Sequence, residues 1–390
     1  MKTIKIFYKK IFGEGSYVKL VRIKRHIFKI TYLSRENIKM FIKLFRGFIS
    51  KKYKSDIIKT FDTINNYKNK EYIIFHNPNF LGVTNSTREL FDYLVPCGDI
   101  YRKKDLKKIS NLIIQNNIKS VYFSAFCYNW GKLIIRLKKS NPNIVIKTYW
   151  HGSNSQVWET FGWNRHIEIT KLHRLGYIDQ MATCKHSIVE FYKKNGFNAL
   201  FLNNTVAFDG KKYRCGSKND NIKLGVYASQ GYWLKNMMNQ IAAAKFIKGS
   251  TIDMVPLNKE AVTLANTLNI KVEGIEGAIP RNELLTRMAK NDVNLYVTFS
   301  ECAPMVPLES LEVGVPCLSG NNHHYFKNTP LEKYLVISNE TDVIEIKEKI
   351  EGCIKNKQEI LELYEKWKKD NDLSTKKQVE IFIGGDKDGK

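Results

Sequence analysis

Two glutamates eight positions apart, Glu301 and Glu309, flank a proline-containing loop in the stretch SECAPMVPLESLEVGVP, residues 300–316. Ahead of it, NDVNLYVTF alternates Val293, Leu295, Val297 and Phe299 and is dense in β-branched and aromatic residues, as a β-strand requires. Behind it, Pro307 suits a first helical turn, Leu308 and Leu311 form an apolar stripe, Gly314 can close a helix and Pro316 stops it. The unit reads as strand, loop, short helix, strand, with Glu301 at the strand's C-terminal end and Glu309 in the first helical turn. Ligands of open α/β sheets bind beyond the carboxyl ends of strands, and helix N-termini offer unpaired N–H groups to anions and hydroxyls. Carboxylates so placed can accept hydrogen bonds from adjacent hydroxyls, which sugars and ribose present. An acid in a first helical turn also suits the macrodipole, by about 0.3–1 kcal/mol, with no ligand at all.

Positioning two such acids takes a sheet, and the chain supplies enough for two. It has 390 residues, 43% of them hydrophobic, so it can bury a large core. From residue 71 strand-like and helix-like stretches alternate. EYIIFHNPNF is followed by LGVTNSTRELFDYL, where Gly82 permits a tight turn and the Ser/Thr/Asn cluster can cap a helix. IKSVYFSAF and NIVIKTYWHG are strands around the helical WGKLIIRLKKSNP, and QMATC and ALFLNN continue the series. Residues 209–221, DGKKYRCGSKNDN, are polar and lack apolar period, which makes them a linker. The rhythm then restarts with IKLGVYAS, the helical YWLKNMMNQIAAAKFIKG, TIDMVPL and IKVEGI. The expectation is α/β, with two doubly wound domains over 71–208 and 222–355 and a C-terminal helix and tail over 356–390.

The first 70 residues differ in kind. They carry 19 Lys or Arg against four acids, out of a whole-chain net charge of +25. Ile38, Phe41, Ile42, Phe45, Phe48 and Ile49 fall at helical spacing, while Lys39, Lys43, Arg46, Lys51 and Lys52 lie mostly off that stripe. A basic helix with an aromatic-rich face is the pattern of a segment lying in an anionic membrane surface. The same pattern fits a helix packed on the protein. No helix-turn-helix, zinc or RNP-type motif accompanies the basic charge, so nucleic acid is not the expected partner. No window is apolar for the roughly 18 residues a span needs, and MKTIKIFYKK lacks a signal peptide's apolar core, which points to a cytoplasmic protein. Seven scattered cysteines without a C-x-x-C pair read as reduced thiols.

The opening stretch resembles the S-x-x-E-G-F-G-x-x-x-x-E-A-x-x-x-G-x-P run of retaining glycosyltransferases of the GT-B fold, of the large family 4 type. EGAIPRNELLTRMAKNDV matches that family's lead-in, and WHG at 150–152 matches the histidine that often ends a strand of its N-terminal domain. The resemblance covers roughly residues 71–380. It implies an active-site cleft between two Rossmann-like domains and no metal or other cofactor. Glu309 would hold the ribose of a nucleotide sugar, and Glu301 would face the donor sugar with His151 opposite. Main-chain N–H groups of Cys302, Ala303 and Met305 would meet sugar hydroxyls or phosphates, Lys235 would neutralise the diphosphate, and Gly277 and Ile279 would approach the base. The family's arginine six residues before that lysine is replaced by Ser229, so that one phosphate clamp is either missing or supplied elsewhere, with Arg281 the candidate, and its second glycine near Gly82 is missing. A UDP-sugar donor and a lipid-linked or surface-glycan acceptor at the inner membrane face complete the expectation. A GT-B nucleotide-sugar 2-epimerase and a non-catalytic basic binding protein with a degenerate core remain open at this stage. His323 and His324 follow the motif as donor contacts or loop caps. Asp370 with Asp372 and Asp386 with Asp388 satisfy D-x-D, but in a Lys-rich helix end and a tail, where they are expected to be solvated rather than metal-bound.

Overall fold

The computed structural model describes residues 50–153, 160–214, 221–228 and 233–384. The stripe from Ile38 to Ile49, Ser229, Cys215 and the Asp386/Asp388 pair lie outside them. The described chain forms two six-stranded parallel sheets, one after the other. The first holds β1 (Tyr72–His76), β2 (Leu94–Pro96), β3 (Ser120–Ser124), β4 (Val145–Trp150), β5 (Gln180–Thr183) and β6 (Ala199–Phe201), in the order β2-β1-β3-β4-β5-β6. The second holds β7 (Lys223–Val226), β8 (Thr251–Met254), β9 (Lys271–Gly274), β10 (Val293–Tyr296), β11 (Cys317–Gly320) and β12 (Val336–Ile337), in the order β12-β11-β10-β7-β8-β9. Helices cover both sheets, so their central strands are nearly continuous apolar runs; all five residues of β1 are buried. The two doubly wound α/β layers match the sequence expectation.

Each order contains a point where the winding reverses, between β1 and β3 in the first sheet and between β7 and β10 in the second. Crevices open beyond the strand ends at such points, which is where open α/β sheets hold ligands. The loops after β7 and β10 carry Lys235 and Glu301. The parallel pairing that sets Leu295 against Val226 therefore brings residues 66 positions apart to one place.

Elements at both ends of the chain depart from the expected division. The helix Lys51–Asn66 packs on the first domain through Tyr53, Ile57, Phe61 and Ile64, and Tyr53 donates a hydrogen bond to Asp105 at 2.7 Å. This part of the basic segment therefore belongs to the first domain's core. The 28-residue helix Lys357–Gly384 leaves the second domain and ends against the first sheet. There Phe382 is fully buried with its ring 5.0 Å from Tyr122, and Ile383 O accepts from the Tyr122 hydroxyl at 3.1 Å. Burying that phenylalanine contributes about 1.5–3 kcal/mol. Both features follow from burial of apolar faces that a linear reading of charge does not register.

The six described cysteines, Cys97, Cys127, Cys184, Cys302, Cys317 and Cys353, are free and buried. No helix among the described residues is long and apolar enough to cross a membrane.

Candidate active site

The helix after β10 is Met305–Glu312, with Pro304 at its N-cap. It starts two residues before Pro307, because a proline at the third helical position costs nothing: that N–H would lack an intrahelical partner anyway. Glu309 is thus the fifth helical residue, beyond the first turn, and its burial is not explained by the helix terminus. Among the described residues, the main-chain N–H groups of Glu301, Cys302, Ala303 and Met305 have no hydrogen-bond partner. These donors run from Glu301 to the start of the helix that carries Glu309. The side chains of Cys302, Ala303 and Met305 are buried, so only their main chain is offered to a ligand.

Glu301 is 7% exposed, and its Oε1 accepts from both the Lys235 ammonium and the Tyr296 hydroxyl, the latter at 3.0 Å. Lys235 also donates to the Tyr296 oxygen at 2.9 Å. Burial pulls the Lys235 ammonium down, but Tyr296 and Glu301 together outweigh it and hold the pKa above the ordinary lysine value. Burial, reinforced by the Glu301 charge, raises the Tyr296 phenol. Lys235 sits in a 3-10 turn, Trp233–Lys235, rather than at a helix start; Asn236, in the left-handed region at φ 51°, separates it from the helix Met237–Ala244. A main-chain bond from Phe299 N to Leu234 O at 2.8 Å ties that turn to the end of the Glu301 strand.

Glu309 is 3% exposed and its Oε1 accepts from Arg281 Nε at 2.7 Å. Arg281 reaches across to the first domain with its other face, where Nη1 donates to Glu89 at 2.5 Å. The guanidinium therefore joins Glu309 to Glu89. Burial raises the Glu309 carboxyl above the usual carboxylate value against the opposing pull of Arg281. Oε2 of Glu301 and Oε2 of Glu309 have no partner among the described residues.

His151 follows β4 on the other side of the cleft, its Nε2 2.8 Å from Ser124 Oγ. Thr87 donates its hydroxyl proton to Val83 O at 2.7 Å, so the Ser124 hydroxyl must donate to Thr87 across their 2.5 Å contact. Ser124 then has only lone pairs left for His151. The imidazole accordingly carries its proton on Nε2 and presents Nδ1 as an acceptor. Burial lowers its pKa to about 3, so the ring stays neutral. Ser153 Oγ meets Ser300 Oγ at 3.0 Å, which brings the loop after His151 against the residue before Glu301.

Two further residues of the first domain grip the motif loop. Lys185, just after β5, donates to Glu301 O at 3.0 Å and to Asn322 O at 2.9 Å. Asn204 donates to Ala303 O at 2.7 Å and accepts from the Tyr149 and Ser86 hydroxyls. The cleft is therefore closed around Glu301 by side chains from both domains.

The remaining expected residues are placed less tightly. Gly277 is exposed at φ +76°, a conformation that favours glycine, and the partly buried Ile279 packs against the cluster of Tyr227, Val255 and Leu285. Gly82 lies inside the helix Leu81–Leu90 and is not a turn, since Asn77 Oδ1 caps the preceding loop through Asn79 N at 3.0 Å and lets the helix begin early. It is exposed, with open space where a Cβ would stand. His323 is buried, its Nδ1 accepts from Tyr325 N at 3.3 Å, and burial lowers its pKa to about 3. These contacts fit it to its loop. Asp370 is exposed, and Asp372, whose side chain is 38% exposed, also meets Thr205 and Lys368, the latter at 3.0 Å. Among the described residues no group of three or more His, Cys, Asp or Glu is placed to hold a metal ion.

Sequence reasoning passed over Tyr296, Lys185, Glu89, Ser124 and Asn204. Lys185 carried a usable signal, being a cation directly after a strand; the others sit within apolar or helical runs whose tertiary partners lie 5–192 positions away.

No protein-family model matches the chain, and neither does any curated protein. Solved structures do. The chain is similar to Anabaena HepE in complex with UDP, with 13% identity, 84% of this chain and 96% of that one covered, and a TM-score of 0.58. It is also similar to the apo form of the lipopolysaccharide outer core galactosyltransferase WaaB, with 13% identity, coverage of 80% and 98%, and a TM-score of 0.55. A third likeness is to sucrose-phosphate synthase from Thermosynechococcus elongatus, with 12% identity, coverage of 80% and 84%, and a TM-score of 0.52. These likenesses show the fold, two Rossmann-like domains in the GT-B arrangement.

Proposed function

We propose that this GT-B chain is a glycosyltransferase that takes a nucleotide sugar, of the UDP type, and transfers the sugar with retention to a lipid-linked or surface-glycan acceptor. The observation that carries this reading is that one strand–loop–helix unit at the second sheet's reversal point holds two buried carboxylates, each with a free Oε2, on either side of a run of unpartnered N–H groups, with the Lys235 ammonium on Glu301. A nucleotide sugar needs hydroxyl acceptors at the ribose and the sugar, with a cation and N–H donors at the diphosphate between them. HepE is described in complex with UDP and WaaB as a galactosyltransferase, which supports the donor class. Retention rests on the resemblance of the two-glutamate run.

In this reading Glu309 Oε2 accepts from the ribose while Arg281 holds Oε1. Lys235 and the N–H groups of Cys302, Ala303 and Met305 stabilise the charge that grows on the departing diphosphate. Glu301 Oε2 lies against the sugar, whose anomeric carbon becomes positive as the bond to phosphate breaks. His151 Nδ1 accepts a sugar hydroxyl from the opposite side. Lys235 supplies the counter-charge at the diphosphate, so transfer requires no metal or other cofactor and persists in EDTA.

The test is incubation with UDP-, GDP-, ADP- and CMP-sugars plus a glycan acceptor, following nucleotide release and, by NMR, the anomeric configuration of the product. The reading expects release from a UDP-sugar and retained configuration. Release without transfer, or a sugar epimerised at C2, contradicts it.

The cellular setting is cytoplasmic and peripheral, with residues 1–49 on an anionic membrane surface, each Lys or Arg contributing about 1 kcal/mol near it. Removing 1–49 should leave a folded protein that no longer sediments with anionic vesicles. Removing 1–66 should instead destabilise the first domain, because Tyr53, Ile57, Phe61 and Ile64 leave its core.

A further inference from the structure

Tyr296 is the last residue of β10, and its hydroxyl touches both charged groups of the proposed reaction, Glu301 Oε1 at 3.0 Å and Lys235 Nζ at 2.9 Å. The directions are fixed by chemistry. An ammonium has only protons to give and a carboxylate only lone pairs, so Lys235 donates to the phenol oxygen and the phenol donates to Glu301. Packing does not account for that oxygen, since phenylalanine would fill the same strand position with the same ring. Lys235 and Tyr296 are held differently. The lysine stands on a short 3-10 turn after β7, whereas the tyrosine is fixed in a hydrogen-bonded central strand.

As found, Lys235 and Glu301 neutralise each other. The glycosyl-transfer reading asks them to separate, the lysine to the diphosphate and the glutamate to the sugar. A buried carboxylate that loses its cation is strongly disfavoured unless other donors hold it. Resting on that reading, we propose that Tyr296 is a positioning residue: as Lys235 passes from Glu301 to the donor diphosphate, the phenol keeps its hydrogen bond to Oε1, holds the carboxylate in place, and leaves Oε2 to the sugar.

Tyr296→Phe removes the hydroxyl and little else. It is expected to lower kcat about tenfold with donor KM changed less than about threefold, as for one hydrogen bond to a charged group that counts in the transition state. In a Glu301→Ala background, assayed with radiolabelled donor, the same substitution should change kcat less than about twofold, because nothing remains to be held. Equal losses in the two backgrounds, or an unchanged kcat in folded Tyr296→Phe, overturn the proposal. Should that variant not fold, the wild-type protein crystallised with UDP decides. The expected structure has Lys235 on the diphosphate and the Tyr296 hydroxyl still within hydrogen-bond distance of Glu301. UDP bound with Lys235 still on Glu301, or with Tyr296 detached from it, overturns the proposal. A wild-type protein that neither binds UDP nor transfers sugar refutes the glycosyl-transfer reading itself, and this proposal with it.

Discussion

Across the cleft, the first domain presents Thr87, Ser124, His151 and Ser153, all neutral, while the second presents Lys235, Glu301, Arg281 and Glu309, all charged or able to be. The first domain's charged residues at the cleft are already engaged, Lys185 on two carbonyls and Glu89 on Arg281. Both domains are parallel sheets wound on either side of a reversal point. The difference lies wholly in what stands at the strand ends, so one architecture serves two chemistries. A charged wall suits a diphosphate and a developing cation. A neutral imidazole, oriented by the buried Ser124 and Thr87 hydroxyls behind it, suits orientation of a sugar hydroxyl without competing for the diphosphate.

If that division is right, substitutions on the charged wall should hurt most, and differently from one another. Glu301→Gln keeps shape and removes charge beside the reacting carbon, so kcat should fall by roughly two or more orders of magnitude with donor KM little changed. Donor-saturation kinetics, with circular dichroism as a folding control, measure it. Glu309→Ala removes a contact to a part of the donor that does not react, so donor KM should rise about 10- to 100-fold, as for a charge-assisted hydrogen bond worth about 1.5–3 kcal/mol. Unfolding of Glu309→Ala would instead mark the Glu89–Arg281–Glu309 group as structural.

On the neutral wall, His151→Ala should cost only about three- to tenfold in kcat/KM, the worth of a neutral hydrogen bond. Because the ring stays neutral, the His151 contribution should not vary between pH 6 and 8. A loss as large as that of Glu301→Gln would erase the distinction between the two walls.

The smallest test concerns stability rather than rate. Burial lowers His76 to about 4 and His151, His323 and His324 to about 3, from an ordinary 6.5. Below pH 6.5 the unfolded chain binds protons at these rings and the folded chain does not. Their contribution is therefore complete above 6.5 and lost as pH falls toward the folded values. Glu309, raised by burial, works the other way just above its ordinary 4.5. Thermal melts should show the midpoint steady from pH 8 to 7 and falling from 6.5 to 5. A midpoint that rises on acidification would contradict the neutral wall.

How much of this was legible in the sequence depended on whether the cause was local. The strands announce themselves because β1 and β3 are largely buried on both faces and carry the apolar runs Tyr72–Phe75 and Val121–Phe123. Glu301 is legible because it stands in a loop at a strand end that a packed core does not explain, whereas Glu309, on the helix, and Lys235, in a 3-10 turn, are reached through the resemblance of the two-glutamate run. The helix start at Met305 was missed because Pro307 marks any position within a first turn, and Gly82 was taken for a turn that Asn77 makes instead. Tyr296 looked like one more apolar strand residue. The partnership of Glu89 with Arg281 spans 192 positions and has no local pattern to reveal it.

The central claim is that the second domain's charged wall binds a nucleoside diphosphate through Lys235, and thermal shift with UDP tests it most directly. UDP at 100 times its dissociation constant should stabilise the wild-type protein by about 2.7 kcal/mol, a shift readily visible in a melt. At the same concentration the shift should largely vanish in Lys235→Ala. No stabilisation of the wild type by UDP, GDP, ADP or CMP, or an undiminished shift in folded Lys235→Ala, would contradict the account.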